Sequence, residues 1–554
     1  MAAKSFFLLP LVVLIHTCTC FSPLPAQNHD QYYRGIVRGL ELFGSVYREI
    51  LERYADSLDP QLLAESGIVG MVNELDPYSA YTPATGSPKT RHVLRTGIGV
   101  EAETVDEMMT VVEVLDGSAA QKAGVRIGDR IVAVDDREML YETVETLYGA
   151  LRGDIGTPVK ITLARDGVGK EFVLEPKRER IQIPGLRFAG VLQGDVAVFQ
   201  LDRFSENAGS EFRTALLRLL HYEAGADSVR GIILDLRGNS GGILEEAVSI
   251  AENFVPKGKV IVATDGRDTA EHEVWHSEID PIAAHLPLLV LVDRNSASAS
   301  ELLAAAIQDH DLGLVLGEPT IGKGVVQSVV TLPFGASFRV TTAWYITPSG
   351  RSIQRLDKLS RNGHQRIIPD SLTGEHYTDN GRPVESGAGV IPDSLVPGPA
   401  EESIVARLER AGAFFAFASA QTGSLDSLPD NFRVTDQMLS AFEEQGLGRL
   451  LDVEQETGML ASLDSLADWF AESRGNVRVK HLFDELGAEI VRNDEQQFAE
   501  SREEIRRVLE LVIRQRFRSR DEHIRASLEA DMQVRAALSL LRDSAAYQRM
   551  LKGG

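Results

Sequence analysis

Val292–Gln327 reads V-D-R-N-S-A-S-A-S-E-L-L-A-A-A-I-Q-D-H-D-L-G-L-V-L-G-E-P-T-I-G-K-G-V-V-Q and contains the pattern that decides the fold of the central part of the chain. The apolar run Leu288–Val292 predicts a buried strand. It breaks into small polar residues, and a helical pattern follows from Glu301 to about His310. A second apolar run, Leu312–Leu316, predicts the next strand. A strand, a hydroxyl-rich turn, a helix and a strand in this order indicate an α/β domain.

Ser298 lies in the hydroxyl-rich turn, and Lys323 follows 25 positions later between two glycines. Serine is a weak nucleophile at its own pKa and needs a neighbouring base. A lysine can be that base only when its amine is neutral, which requires removal from water or a repelling charge. The glycine and valine neighbours of Lys323 offer little to pair with an ammonium group. The two residues therefore indicate nucleophilic catalysis by a serine and a lysine.

Two further groups fit this chemistry. If Lys323 opens a strand, Gln327 shares its face, and the amide can hydrogen-bond the amine. A helix beginning after Ser298 favours negative charge at its N-terminus, and the N–H of Ala299 can donate to an oxyanion. The structural alternative is that Ser298 and Glu301 form a capping box, in which the serine only begins a helix.

The S-A-S-A-S-E segment, followed by G-E-P-T-I-G-K-G-V-V-Q, resembles the C-terminal processing peptidases, also called tail-specific proteases. The resemblance implies that Ser298 is the nucleophile, that Lys323 is its general base and that Gln327 orients the lysine. It also implies a multidomain α/β protein with a crotonase/ClpP-like α/β protease core, an inserted β-rich PDZ domain and an all-α C-terminal region. The implied function is that of a serine endopeptidase that cleaves exported proteins near their C-terminus.

The oxyanion loop of that family is similar to the segment from Arg237 to Gly242, R-G-N-S-G-G, which follows the apolar run Gly231–Leu236. Glycine lets a main-chain N–H approach a substrate carbonyl closely. We predict Gly241 as the donor opposite Ala299 and keep Gly242 as the alternative. A helix-start turn without any ligand is the structural alternative. A phosphate-binding loop fits less well because the lysine and the Ser/Thr of that motif are missing.

Residues 95–180 carry short strand patterns around G-V-R-I-G-D-R-I-V-A-V and resemble a PDZ domain. We expect Gly97, Ile98, Gly99 and Val100 to form its carboxylate-binding loop. A glycine-rich loop can present several N–H groups to a terminal carboxylate, and a neighbouring strand edge can take an extended peptide. Protein or peptide substrates with a free C-terminus are therefore the expected partners.

Composition limits the other function classes. A length of 554 residues predicts three or four domains, and a net charge of −24 argues against a nucleic-acid partner. The sequence contains no HExxH or CxxC motif and no clustered ligands, so no metal and no other cofactor is expected.

The N-terminus reads as an export signal. The apolar run Phe6–Ile15 follows Lys4 and is too short to span a bilayer. Cleavage after Ala26 would remove both cysteines, Cys18 and Cys20, and leave no disulfide and no cysteine metal site. We expect a periplasmic or extracellular protein, with peripheral membrane association or an uncleaved N-terminal anchor as the alternatives.

These patterns predict five regions: a signal peptide at 1–26, an N-terminal helical region at 27–94, the PDZ domain at 95–180, the serine protease core at 181–399 and a C-terminal helical domain at 400–554. The D-P-Y-S-A-Y segment beginning at Asp76 resembles the family's N-terminal region, and we assign it a structural role. The C-terminal helices could cap the protease, form a homo-oligomer or bind an adaptor.

Three rival functions remain open. The first is a catalytically inactive, PDZ-bearing scaffold that binds peptides. The second is a serine hydrolase with a histidine base, for which His310 is the nearest histidine in the sequence, although a helix C-terminus explains it as well. The third is a crotonase-like enzyme acting on acyl thioesters, which rests on fold alone.

Overall fold

The computed structural model describes the chain over residues 29–83, 95–181, 184–223, 229–355, 357, 373–400, 402–429, 431–456, 458–474 and 477–553. The predicted signal peptide at 1–26, with Cys18 and Cys20, lies outside these residues. Within them, each helix is too short or too polar to cross a membrane.

The N-terminal part comprises α1 (His29–Arg53), α2 (Pro60–Asn73) and β1 (Ala80–Thr82). Pro60 stands in the first turn of α2, where its missing N–H breaks no helical hydrogen bond. The Asp59 carboxylate accepts hydrogen bonds from two N–H groups of that turn, so the start of α2 is set by local sequence.

Residues 95–181 form a β-rich unit with a core of its own. Its elements are β2 (Arg95–Gly97), β3 (Val100–Val105), β4 (Met108–Val114), α3 (Ala119–Ala123), β5 (Arg130–Val134), β6 (Arg137–Glu138), α4 (Val144–Leu151), β7 (Ile161–Ala164), β8 (Phe172–Leu174) and β9 (Glu179–Ile181). One sheet has the order β3-β4-β5-β7-β8, with β6 paired to β5. Val111, Ile131 and Leu163 from these strands bury their side chains with Leu147 from α4. The strands β2 and β9 pair with each other, which brings the two chain ends of the unit together.

The α/β core contains β10 (Leu186–Leu192), β11 (Val196–Leu201), α5 (Ala208–Arg218), β12 (Gly231–Asp235), α6 (Leu244–Ala251), β13 (Val260–Gly266), β14 (Val274–His276), β15 (Leu288–Val292), α7 (Ala299–Asp309), β16 (Leu314–Gly317), β17 (Val325–Thr331), β18 (Ser337–Ile346), β19 (His376–Tyr377), β20 (Pro383–Val384) and β21 (Ser394–Leu395). The central sheet has the order β10-β11-β12-β15-β16-β21, and its strands from β11 onward are parallel. Every residue of β12 and β15 is buried, as expected for parallel strands covered on both faces. The helices α5, α6 and α7 cover one face.

A second sheet joins distant parts of the chain. It has the order β1-β18-β13-β14, and β17 also pairs with β18. Ala80 of β1 lies opposite Arg339 of β18 in the antiparallel register. The end of the predicted N-terminal helical region is therefore a strand of the core.

The C-terminal region contains helices and no strand among its described residues from 402 onward. It contains α8 (Ile404–Arg410), α9 (Ala413–Thr422), α10 (Asp436–Glu456), α11 (Met459–Arg474), α12 (Val477–Glu500), α13 (Arg502–Gln515), α14 (Arg520–Ala530), α15 (Met532–Arg542) and α16 (Ser544–Leu551). The helices α8, α9, α10, α12 and α13 bury a separate core around Phe414, Phe442 and Phe498.

The last three helices have a different role. Leu528, Val534, Leu538 and Tyr547 pack against the second face of the central sheet. That packing explains how both faces of the parallel strands are buried. The predicted multidomain α/β class, with a β-rich unit and an all-α C-terminal region, is confirmed.

Candidate active site

Ser298 is the turn residue between β15 and α7, and its backbone is strained. Its φ is +55° and its ψ is −117°, a conformation that residues other than glycine seldom adopt. Its N–H donates to Glu301 Oε2 at 2.8 Å, which is one half of the predicted capping box. The Ser298 side chain also faces the N–H of Glu301, so both halves of the capping box are present. A helix cap does not need these strained angles, whereas a strained strand-to-helix turn is typical of a nucleophilic serine.

Glu301 joins the nucleophile to the segment of the base. Its side chain is fully buried. Oε2 accepts from the N–H of Ser298 at 2.8 Å and of Lys323 at 2.9 Å. Oε1 accepts from the N–H of Gly322 at 2.7 Å and from the Thr320 hydroxyl. Burial raises the pKa of Glu301, and these hydrogen bonds counteract that rise. One carboxylate therefore holds the backbones of both proposed catalytic residues.

Lys323 has the surroundings that a lysine base requires. The side chain is half-buried, and Nζ lies 5.5 Å from the centroid of the Tyr78 ring. In the described part of the chain no carboxylate forms a salt bridge with it. Burial lowers the pKa of Lys323, the positive charge of Arg339 lowers it further, and the Glu301 carboxylate opposes both. The pKa shift therefore favours the neutral amine.

The structure places Gln327, predicted to orient Lys323, against Tyr78. Its Nε2 donates to the carbonyl oxygen of Tyr78 at 2.7 Å, and no hydrogen bond joins it to the Lys323 amine among the described residues. Lys323 precedes β17, and the register between β17 and β18 shifts at Val326 and Gln327. The regular alternation of side chains assumed from the sequence does not apply across that shift. Gln327 and Lys323 meet through Tyr78 instead.

Tyr78 is the site residue that the sequence interpretation missed. It lies in the D-P-Y-S-A-Y segment, to which we assigned only a structural role. The carboxylate of Asp76 accepts from the N–H of Tyr78 at 2.9 Å and of Ser79 at 2.8 Å, which forms a tight turn. Pairing of β1 with β18 then places this turn beside Lys323. Burial raises the pKa of Tyr78, so the ring faces the lysine as a neutral phenol.

The oxyanion loop lies against the nucleophile. A Cβ added at Gly241 would lie 2.9 Å from Cβ of Ser298 and 3.1 Å from the nitrogen of Ala299. The Gly241 N–H already donates to Asn239 Oδ1 at 2.9 Å, which counts against Gly241 as the donor favoured from the sequence. The N–H groups of Gly242 and Ala299 have no acceptor among the described residues. Gly242 is therefore the better candidate, with Ala299 opposite it.

The histidine alternative is wrong. His310 ends α7, whereas Ser298 begins it, and an 11-residue helix separates its ends by about 16 Å. The His310 Nε2 lies 2.7 Å from the carbonyl oxygen of Val260, and Nδ1 lies 3.0 Å from Asp379. Both ring nitrogens are therefore engaged far from the nucleophile. The described residues also contain no group of three or more His, Cys, Asp or Glu side chains placed to hold a metal ion.

The predicted carboxylate-binding loop has unpaired donors. Gly97 ends β2, and Val100 begins β3. Between them, the carbonyl oxygens of Ile98 and Gly99 accept from main-chain N–H groups, but their own N–H groups have no acceptor among the described residues. Gly99 has φ +85°, and a Cβ there would lie 2.4 Å from Cβ of Ser118. A compact loop with two free N–H groups fits a carboxylate.

One side chain occupies the strand edge beside that loop. The hydroxyl of Tyr148, on α4, accepts a hydrogen bond from the N–H of Ala102 at 3.2 Å. The other edge of β3 pairs with β4. An extended peptide that added to the free edge would need the same N–H group. Tyr148 thus occupies the N–H of Ala102 on the edge of β3 that does not pair with β4.

Three family models match the chain. Peptidase family S41 matches residues 195–370, a PDZ domain matches 110–165, and the probable PDZ-protease C-terminal helical domain matches 404–541.

Two curated relatives and one solved structure that are similar to this chain are named as C-terminal processing or CtpA-like proteases. A carboxy-terminal-processing protease of Bartonella bacilliformis is 32% identical over 379 residues, which cover 68% of this chain and 84% of the relative. A probable CtpA-like serine protease of Staphylococcus haemolyticus is 30% identical over 311 residues, which cover 55% of this chain and 61% of that protein. The solved photosystem II D1 C-terminal processing protease is 25% identical, with 63% of this chain and 85% of that chain covered and a TM-score of 0.35.

Proposed function

Because the chain belongs to the carboxy-terminal-processing proteases of peptidase family S41, we propose that it hydrolyses peptide bonds with Ser298 as nucleophile and Lys323 as general base. It is a serine-type peptidase whose substrates are proteins or peptides. The single observation that carries the assignment of these two residues is the buried Glu301 carboxylate, which accepts from the N–H of both.

The proposed reaction begins when Ser298 Oγ attacks the substrate carbonyl carbon. Lys323 takes the hydroxyl proton and later gives a proton to the leaving amine. The N–H groups of Ala299 and Gly242 stabilise the oxyanion. Water then hydrolyses the acyl-enzyme and regenerates the serine. The half-buried position of Lys323 supports its role, because burial favours the neutral amine that accepts the proton.

We further propose that the PDZ domain binds the substrate's C-terminal tail. The two free N–H groups of Ile98 and Gly99 support carboxylate binding at that loop. The edge of β3 would add the tail as a further strand once the Tyr148 hydroxyl leaves the N–H of Ala102. Export is part of the same proposal, and it rests on the apolar run Phe6–Ile15 alone.

The test compares wild type, Ser298→Ala and Lys323→Ala on an unfolded protein substrate, with a second substrate whose C-terminus is amidated. We expect both variants to lose activity by about a thousandfold or more while keeping the wild-type thermal unfolding midpoint. Near-wild-type activity of Lys323→Ala would contradict the lysine base. Equal cleavage of the free and amidated substrates would contradict tail recognition but not the catalytic assignment. Peptide binding without cleavage by wild type would favour the inactive scaffold.

A further inference from the structure

Arg237 opens the oxyanion loop and is held from two sides. Its side chain is 16% exposed. Nε and Nη2 donate to the two carboxylate oxygens of Asp235 at 2.8 Å each. Nη1 donates to Asp531 Oδ2 at 2.9 Å and to Gln533 Oε1 at 2.7 Å. Asp235 is local, whereas Asp531 and Gln533 come from the C-terminal helices, between α14 and the first turn of α15.

The loop after Arg237 is built from consecutive fixed contacts. The N–H of Gly238 donates to Asp293 Oδ1 at 3.0 Å. The carbonyl oxygen of Asn239 accepts from the N–H of Ala297, the residue before the nucleophile, at 3.0 Å. Asn239 Oδ1 in turn accepts from the N–H of Gly241. A displacement of Arg237 is thus passed to the glycines beside Ser298 within a few residues.

We propose that Asp531 and Gln533 are positioning residues for the oxyanion loop, supplied to the protease by its C-terminal helices. The inference rests on the proposed function of Ser298. Both residues lie outside the span that the peptidase family S41 model matches, residues 195–370. A largely buried guanidinium with donors left unsatisfied is costly, so the loop shifts when these two acceptors are removed.

The substitution Asp531→Asn tests the contact with Arg237 while keeping the cap of α15. Asp531 also caps α15, because its Oδ1 accepts from the N–H of Val534 at 2.8 Å. Asparagine is an equally good cap, but its amide group would face the guanidinium with a donor where Oδ2 accepts. Glu529→Gln is the matched control, since Glu529 is exposed in the last turn of α14 and forms no salt bridge or side-chain hydrogen bond within the described chain. Gln533→Met removes the other acceptor at similar volume.

The first readout is the rate at which a fluorophosphonate labels Ser298. In that reaction the Ser298 Oγ–P bond forms, the P–F bond breaks, fluoride leaves and Lys323 takes the hydroxyl proton. Labelling requires the nucleophile and the oxyanion donors but no substrate tail. The second readout is kcat and KM for an unfolded protein substrate, and the third is the thermal unfolding midpoint of the full chain.

We expect Asp531→Asn to lower the labelling rate and kcat by about tenfold or more, with KM within about twofold of wild type and the unfolding midpoint unchanged. We expect Gln533→Met to lower the labelling rate and kcat by a smaller factor. It replaces Asp531→Asn as the test if that variant does not fold. Glu529→Gln behaves as wild type. Labelling of both Asp531→Asn and Gln533→Met at the wild-type rate would overturn the positioning role. A wild type that is not labelled would overturn the assignment of Ser298, and this role with it.

Discussion

The proposed catalytic centre and the proposed peptide-binding site of the PDZ domain both have main-chain N–H groups without an acceptor among the described residues, but they are held in different ways. At the catalytic centre, the fully buried Glu301 carboxylate accepts hydrogen bonds from four groups, including the N–H of Ser298 and of Lys323. At the peptide-binding site, one half-buried hydroxyl, that of Tyr148, accepts from one N–H, that of Ala102, at 3.2 Å.

This difference implies that the hydrogen bonds around Ser298 are fixed, whereas a bound peptide can replace the hydrogen bond of Tyr148. A buried carboxylate cannot leave its donors without a large desolvation cost, so the geometry around Ser298 persists whether or not substrate is present. A single neutral hydrogen bond at a strand edge contributes about 1 kcal/mol, and a peptide can replace it. Substitutions at the centre should therefore reduce activity strongly, whereas substitutions at the peptide-binding site should have small effects and can increase binding.

Gly241→Ala should have the largest effect. The added Cβ would lie 2.8 Å from the carbonyl oxygen of Ala297 and 2.9 Å from Cβ of Ser298, and the loop must move to admit it. Because the neighbouring Gly242 moves with the loop, we expect kcat to fall by about a hundredfold or more, the usual loss when an oxyanion donor is displaced. Gly238→Ala is the matched control, because Gly238 shares the positive φ but has open space around its Cβ position. Equal losses in the two variants would show that backbone strain, rather than contact with the nucleophile, controls the rate.

Glu301→Gln should have the next largest effect. The amide replaces an oxygen that accepts from two groups with a donor, so we expect kcat to fall by about tenfold to a hundredfold. The carboxylate raises the pKa of Lys323, so removing its charge should also move the acidic limb of the pH–rate profile to lower pH.

Asp309→Asn is the control for Glu301→Gln. Asp309 is a buried carboxylate at the opposite end of the same helix, where it pairs with Arg351. We expect this variant to lose comparable stability in thermal unfolding while its acidic limb stays at the wild-type pH. An unchanged limb in Glu301→Gln would contradict the electrostatic coupling of Glu301 to the base.

Arg339→Gln should produce a smaller change in the opposite direction. The Arg339 charge lowers the pKa of Lys323, so its removal should raise that pKa. The base is active only when neutral, and the acidic limb of the pH–rate profile should therefore move to higher pH. Arg152→Gln, an exposed arginine of the PDZ domain, should leave the limb in place. A limb that does not move in Arg339→Gln would count against Lys323 as the titrating group.

Tyr148→Phe should have the smallest effect, with an increase in binding. The variant keeps the ring and removes the hydroxyl that competes for the N–H of Ala102. We expect tail peptides to bind about threefold to tenfold more tightly, measured by fluorescence anisotropy with a labelled peptide. Tyr141→Phe is the control, because Tyr141 is 74% exposed. Weaker binding by Tyr148→Phe would show that the hydroxyl contacts the peptide rather than excluding it.

Several features were predictable because they depend on neighbouring residues. The apolar run Leu288–Val292 is a strand with the predicted bounds, and the helix after Ser298 begins within two residues of its predicted start. The family assignment is confirmed, since short motifs around Ser298 and Lys323 carried it. The roles of these two residues stay predictions, and the structure places both against Glu301.

Other features depend on contacts between distant segments. Tyr78 reaches Lys323 only because β1 pairs with β18, more than 250 positions away. The side chain of Asn239 accepts from the N–H of Gly241, and this decides which of Gly241 and Gly242 is the better oxyanion-donor candidate. A shift of strand register changes which residue Gln327 contacts. No local pattern reports such contacts.

The sequence by itself determined the protein's family, its fold class and the pair of residues proposed for the chemistry, because local hydrophobic period and short motifs encode them. The tertiary structure decided which groups surround that pair. It also decided that the last helices, α14 to α16, cover the second face of the central sheet, while α8, α9, α10, α12 and α13 form a separate core. The physical reason is that an apolar helix face looks the same in sequence whichever surface buries it, and only the packed chain selects the partner.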